Sequence, residues 1–206
     1  MDSAAFQRAT GVSRETLERL EIYDQLLKKW QKAINLVGPR TVAQSWERHF
    51  LDSAQLYALA PEPARTGVWL DMGAGAGFPG LVIALLGARH VHLVESDLRK
   101  ATFQREVIRA TGAAATVHAA RMETLARFPV DVITARAFAP LEKLLAMAYP
   151  FWSDKVVGLF PKGRDVELEL TEAAKYWKMQ MELLGSRTDG TARILRIAAL
   201  SQADRQ

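Results

Sequence analysis

Between positions 70 and 81 the chain reads Leu-Asp-Met-Gly-Ala-Gly-Ala-Gly-Phe-Pro-Gly-Leu, with glycine at 73, 75, 77 and 80. Glycines at this density let a backbone turn sharply and approach a ligand with no Cβ in the way. Where such a loop leads from a strand into a helix, its amides make a cradle for phosphate or nucleoside groups. Glu95 stands 22 residues beyond Gly73, at the end of the run Val91-His92-Leu93-Val94. A carboxylate there can accept hydrogen bonds from two ribose hydroxyls. Loop and acid together specify a site for a nucleoside-containing cofactor. The spacing Gly75-x-Gly77-x-x-Gly80 also satisfies a dinucleotide fingerprint, so NAD and S-adenosylmethionine both fit it. Asp71 just ahead of the loop and a hairpin signal at the end of the chain favour S-adenosylmethionine.

The elements that must position these residues can be read from periodicity. Leu17, Leu20, Tyr23, Leu27 and Trp30 recur every three or four residues and predict an amphipathic helix over residues 13–33. Asn35 to Arg40 break it, and helical character resumes over residues 41–59 through Val42, Trp46, Phe50 and Leu56. After Pro61-Glu62-Pro63 the pattern changes. Short runs rich in β-branched residues begin at Val68, Val91, Thr116, Val130 and Val156, separated by helical intervals over residues 80–86, 98–111, 141–149 and 165–177. Strand and helix in alternation predict an α/β fold with parallel strands and helices on both faces. Asp189-Gly190, between the runs 179–184 and 193–199, predicts a closing antiparallel hairpin. The division is a helical N-terminal extension over residues 1–62 and a cofactor-binding domain over residues 63–206.

Composition narrows the chemistry further. The 206 residues are 49% hydrophobic and 24% charged, enough for one substantial core. With no cysteine there is no disulfide, thiolate zinc site, iron–sulfur cluster or cysteine nucleophile. The four histidines lack metal-ligand spacing, so no metal is expected, and His90, His92 and His118 read as packing or edge residues. Residues 72–88 carry no charge, but their glycines and Pro79 argue against a membrane span. The N-terminus lacks a signal peptide's basic flank and apolar run, which predicts a cytoplasmic protein. The net charge of +4 is spread along the chain, so any nucleic-acid binding comes from a folded surface and not a basic tail.

The glycine loop, Arg48-His49-Phe50-Leu51-Asp52-Ser53, Glu95-Ser96, Arg136-Ala137-Phe138-Ala139 and Pro161-Lys162-Gly163 together resemble the RsmG (GidB) family over residues 23–197. Members of that family methylate N7 of one guanine in bacterial 16S (small-subunit) ribosomal RNA, using S-adenosylmethionine. The resemblance implies a class I methyltransferase (Rossmann-like) fold, mostly parallel and seven-stranded, with a terminal antiparallel hairpin. It implies cofactor contacts from Gly73 and Phe78, with Gly75 and Gly77 in the same loop, and from Glu95, Met122, Glu123 and Arg136. Ala74 and Met122 stand where the family commonly has Ser or Thr and Ala, at positions that mostly offer backbone.

Guanine N7 carries an in-plane lone pair and no proton, so such a reaction needs alignment and no catalytic base. Arg136, after the fourth strand run, is the best candidate for positioning guanine, since a guanidinium offers fixed donors to the O6 edge. Phe138 beside it would line the base pocket. Arg48 and His49 would close a helical cap over the cofactor and hold RNA, with Asp52 one turn on as a partner for Arg48. Lys162, after the fifth strand, would touch phosphate or base. Lys28, Lys29, Lys32, Lys100, Arg105 and Arg109 would form a phosphate-tracking surface, or more simply solvated helix faces. The expected partner is small-subunit ribosomal RNA within the small ribosomal subunit, with the enzyme a monomer. Competing readings are a methyltransferase acting on another RNA or a small molecule, an NAD-dependent oxidoreductase, and a silent RNA-binding module.

Overall fold

A computed structural model describes residues 1–203. Helices α1 (Ser3–Thr10), α2 (Arg14–Trp30) and α3 (Asp52–Leu59) precede strand β1 (Val68–Met72). There follow α4 (Gly80–Leu86), β2 (His90–Val94), α5 (Leu98–Thr111), β3 (Ala115–His118), β4 (Val132–Thr134), α6 (Leu141–Ala148) and β5 (Val157–Lys162). The chain closes with α7 (Val166–Ala173), β6 (Trp177–Gly185) and β7 (Arg193–Gln202). One seven-stranded sheet has the order β3-β2-β1-β4-β5-β7-β6. β1 to β5 are parallel, and β7 is antiparallel to both β5 and β6. Among the described residues no helix is long and apolar enough to cross a membrane.

Side chains alternate across a strand, so each central strand feeds two cores. Trp69, Val91, Leu93 and Val132 face a layer that includes Leu20, Tyr23, Leu27, Leu81 and Phe103. Leu70, Met72, Val94 and Ile133 face the opposite layer, with Leu141, Leu144, Leu145 and Phe151. The helical extension shares the first core. Arg19 on α2 donates to the carbonyls of Thr111 and Gly112 at 2.6 and 2.9 Å, satisfying the orphan carbonyl end of α5. Buried Asp24 accepts from Ser45 Oγ at 2.7 Å and from Lys28 at 2.6 Å.

Two expected helices are reshaped. Residues 41–59 do not form one α-helix: a 3₁₀ turn (Pro39–Gln44) and a π-helical turn (Trp46–Leu51) lead into α3. The wider turn lets Trp46, His49, Phe50 and Leu51 all be buried, with Trp46 and Phe50 stacked at 4.6 Å. The helix expected over 165–177 ends at Ala173, because Trp177 is the first residue of β6, buried with its ring 5.1 Å from Tyr149. Strand β5 also runs two residues further than the apolar run suggests, so Lys162 ends the strand instead of following it.

Tyr23 ties extension to sheet. Its hydroxyl donates to the Ala76 carbonyl at 2.5 Å, fully buried, and burial pushes its pKa up. Tyr23→Phe leaves that carbonyl without its partner and is expected to cost about 1–3 kcal/mol, read as a lower urea midpoint; an unchanged midpoint would contradict this role.

Candidate functional site

The loop after β1 is the centre of the site. Gly73, Gly75 and Gly77 adopt φ of +67°, +58° and +87°, the left-handed region in which a side chain is strained. At Gly73 there is a second constraint: a Cβ would lie 2.2 Å from the ring of Phe138. Four elements fasten the loop. Glu95 Oε2, at the end of β2, accepts from the Gly75 amide at 2.8 Å. Gln104 of α5 donates to the Gly75 carbonyl at 2.8 Å, and Tyr23 of α2 holds Ala76. Asp71 of β1 accepts from the Gly80 amide at 2.8 Å. Asp71 is wholly buried, and that burial raises its pKa to about 7 despite the amide it holds. Its carboxyl points to the start of α4 and does not line the cleft.

Over the loop opens a cleft of about 740 Å³ at the carboxyl ends of the parallel strands, where α/β sheets bind ligands. Gly73, Gly75, Phe78, Glu95, Met122, Glu123, Arg136, Arg48, His49 and Phe138 all line it. Gly77 lies beneath the loop, where a Cβ would press on Leu81 and the Tyr23 hydroxyl. Lys100 also lines the cleft, whereas Lys28 pairs with Asp24 and Arg109 with Glu106. Glu95 is buried, and its other oxygen accepts from the Asp97 amide at 2.8 Å. Each oxygen keeps a second lone pair, enough for one ribose hydroxyl apiece. Met122 is buried and Glu123 exposed in the 3₁₀ turn after β3.

Phe78 carries the cap. Its ring stacks on Tyr23 at 4.9 Å and on His49 at 5.1 Å, and the Arg136 guanidinium lies 5.4 Å from its centroid. Arg136 donates to the Arg48 carbonyl at 3.3 Å and reaches Asp52 Oδ2 at 3.4 Å. The expected Arg48–Asp52 pair does not form. Asp52 is taken by Arg136, by Thr188 Oγ1 at 2.7 Å and by Gln55 at 2.8 Å, while Arg48 reaches Asp189 at 3.7 Å. Lys162 is buried, donates to Glu169 at 2.7 Å, and lines a smaller neighbouring cavity instead of the main cleft.

His49 presents an unpaired acceptor. Thr41 gives its one hydroxyl proton to the Gly38 carbonyl at 2.7 Å, so at 2.8 Å from Thr41 Oγ1 the His49 Nε2 must be the donor. That assigns the tautomer and leaves Nδ1 as a bare, buried acceptor with no partner among the described residues. Burial, then the charges of Arg136 and Arg48, lower the His49 pKa to about 3. His90, His92 and His118 form a separate group at the sheet edge, with His92 and His118 in contact at 3.0 Å and both packed on Phe128. Among the described residues no cluster suits a metal ion.

Sequence reading missed Tyr23, Thr41, Gln104 and Thr188. Tyr23 falls on the apolar stripe of α2 and reads as core. Gln104, fully buried between Phe103 and Arg105, gives only the weak signal of a polar residue on the buried side of a helix. Thr188 sits in a turn 136 residues from Asp52.

Comparison with known proteins is consistent with this geometry. Residues 16–189 match the family model GidB, described as rRNA small subunit methyltransferase G. A protein of Rhodospirillum rubrum named ribosomal RNA small subunit methyltransferase G is 53% identical over 203 residues, covering 98% of this chain and 100% of that one. Its namesake in Rhodospirillum centenum is 54% identical over 95% of this chain and 90% of its own. Among solved structures, a ribosomal protein L11 methylase from Lactobacillus delbrueckii subsp. bulgaricus superposes with a TM-score of 0.57 at 16% identity, over 81% of this chain and 80% of that one. M. jannaschii TYW2 in complex with AdoMet gives 0.57 at 15% identity, over 84% and 80%. These distant structures share the fold.

The neutral His49 gives a pH test. A histidine whose folded pKa lies below its unfolded value stabilises the fold above about 6.5 and loses that contribution as pH falls toward the folded value. The stability advantage of wild type over His49→Gln is therefore expected to shrink in urea titrations between pH 7.5 and pH 5. An advantage that grows on acidification would contradict the assignment.

Proposed function

We infer the reaction from the family to which this chain belongs, rRNA small subunit methyltransferase G: the chain transfers a methyl group from S-adenosylmethionine to small-subunit ribosomal RNA. The acceptor we propose is N7 of one guanine. The observation that carries the reading is the glycine loop fastened to Glu95 at the floor of an open cleft, in a chain of this family.

The residues present suit the cofactor. Glu95 would take the two ribose hydroxyls on its free lone pairs, and Met122 and Glu123 would border the adenine. The backbone of Gly73 and Gly75 would lie against the methionine portion, with Gly77 allowing the turn and Phe78 walling it. Bound there, S-adenosylmethionine supplies an electrophilic methyl on a sulfonium, a group that needs no activation. Guanine N7 offers a lone pair and no proton, so the chain supplies position. Arg136, steadied by Asp52 and by Phe78 beneath it, would present donors to the O6 edge, and Phe138 would bear on the base. Arg48 would complete the RNA-facing side, with Lys162, held by Glu169, bordering the neighbouring cavity. Orientation of this kind contributes up to roughly 7–11 kcal/mol in well-aligned systems.

Residues 1–62 serve in this reading as a helical cap on the methyltransferase domain of residues 63–206, and the enzyme works as a cytoplasmic monomer. The evenly spread charge favours RNA presented within the small subunit over free RNA.

Two variants test the reading. Gly73→Asp combines a strained left-handed backbone, a clash with Phe138 and an added charge, so calorimetry is expected to detect no S-adenosylmethionine binding; wild-type affinity would sink the cofactor assignment. Arg136→Ala is expected to keep its fold and lose about 100-fold in methyl transfer, while near-normal turnover would remove Arg136 from the site.

A further inference from the structure

Next to the main cleft lies a second cavity of about 280 Å³, between the end of β5, Arg136 beyond β4, and the turn of residues 186–192 that joins β6 to β7. It shares Arg48, Asp52 and Arg136 with the main cleft, so the two spaces are contiguous. The turn is built into the site. Thr188 donates to Asp52, Gln55 accepts from the Arg187 amide at 2.8 Å, and Arg187 reaches the Ala9 carbonyl at 3.2 Å. The helical extension therefore holds the cavity's roof in place.

Its charge is net positive by one. Lys162 is neutralised by Glu169, which leaves Arg48, Arg136 and Arg193 against Asp52 and Asp189. The Asp52 oxygens are already engaged, and the contacts of Arg136 and Arg48 with carboxylates are long, at 3.4 and 3.7 Å. Arg193 has no carboxylate within 4 Å among the described residues. One of its nitrogens, Nη1, donates to the carbonyls of Gly190 and Ala192 at 3.1 and 3.0 Å, which fixes the plane of the guanidinium. A guanidinium held in place without a neutralising acid is prepared for a bidentate oxyanion. We propose that this cavity is a subsite for a phosphodiester of the RNA strand beside the target guanine, with Arg193 as its principal donor. The proposal rests on the reading above that the chain acts on RNA.

The test is methyl transfer to small ribosomal subunits that lack the modification, followed at several salt concentrations, with S-adenosylmethionine affinity measured separately by calorimetry. Two variants are compared with wild type. Arg193→Gln removes the charge. Gly163→Asp adds an opposing one in a residue that lines the cavity, where a Cβ meets nothing within 4 Å and the backbone needs no positive φ. Both are expected to raise KM for subunits about tenfold, with kcat within about twofold of wild type and cofactor affinity unchanged. Arg193→Gln is also expected to flatten the dependence of log KM on log salt by about 0.7, the share of one phosphate on a single strand, and Arg193→Lys to restore it. Wild-type KM and salt slope in both variants would overturn the subsite. Should Arg193→Gln lose thermal stability through the turn it holds, Gly163→Asp decides alone. A wild-type enzyme that binds cofactor yet methylates no subunits would overturn the RNA reading itself, an outcome distinct from unchanged variants of an active enzyme.

Discussion

The hydrogen bond from the Gly75 amide to Glu95 is the contact on which the rest of the site depends. It fixes the crest of the glycine loop to the end of the neighbouring strand and orients a carboxylate that both faces the cleft floor and holds the loop. The other fastenings come from separate elements of the molecule: Tyr23 from the helical extension, Gln104 from α5 and Asp71 from β1. The loop is thus a knot joining two helices to the sheet, and its shape is set by tertiary structure as much as by its glycines. Burying an acid such as Asp71 costs stability, and the amide it receives from Gly80 offsets only part of that cost.

The cap obeys the same economy of contacts. Phe78 projects from the loop and is covered by Tyr23 and His49, with Arg136 over its face. Burial, then two arginines close by, hold His49 neutral, and its tautomer follows from Thr41. Asp52 joins the cap, the strand end bearing Arg136 and the last hairpin. A reaction that asks for alignment and no proton transfer is suited to such a site, in which many side chains are fixed by neighbours.

What was legible in the sequence was what depends on near neighbours. The loop, Glu95, the spans of α4 and α5, the parallel direction of the strands and the closing hairpin all follow from spacing and turn chemistry. What was not legible depends on distant partners. Asp52 and Thr188 lie 136 residues apart, and Tyr23 and Ala76 lie 53 apart, so neither bond has a local signature. The π-helical turn arises because four residues, Trp46, His49, Phe50 and Leu51, share one buried face, a demand that the α-helical period does not express. Lys162 illustrates the same limit: a loop-like motif read as an open contact is a strand end whose ammonium is held by Glu169.

The central claim is that the cleft brings one guanine N7 into line with a transferable methyl. It is tested most directly by incubating small ribosomal subunits from cells lacking this protein with the enzyme and methyl-labelled S-adenosylmethionine, digesting the RNA to nucleosides and locating the label. The account predicts label in 7-methylguanosine alone, from a single position. Label on a ribose, on an exocyclic nitrogen, or spread over many guanines would contradict it.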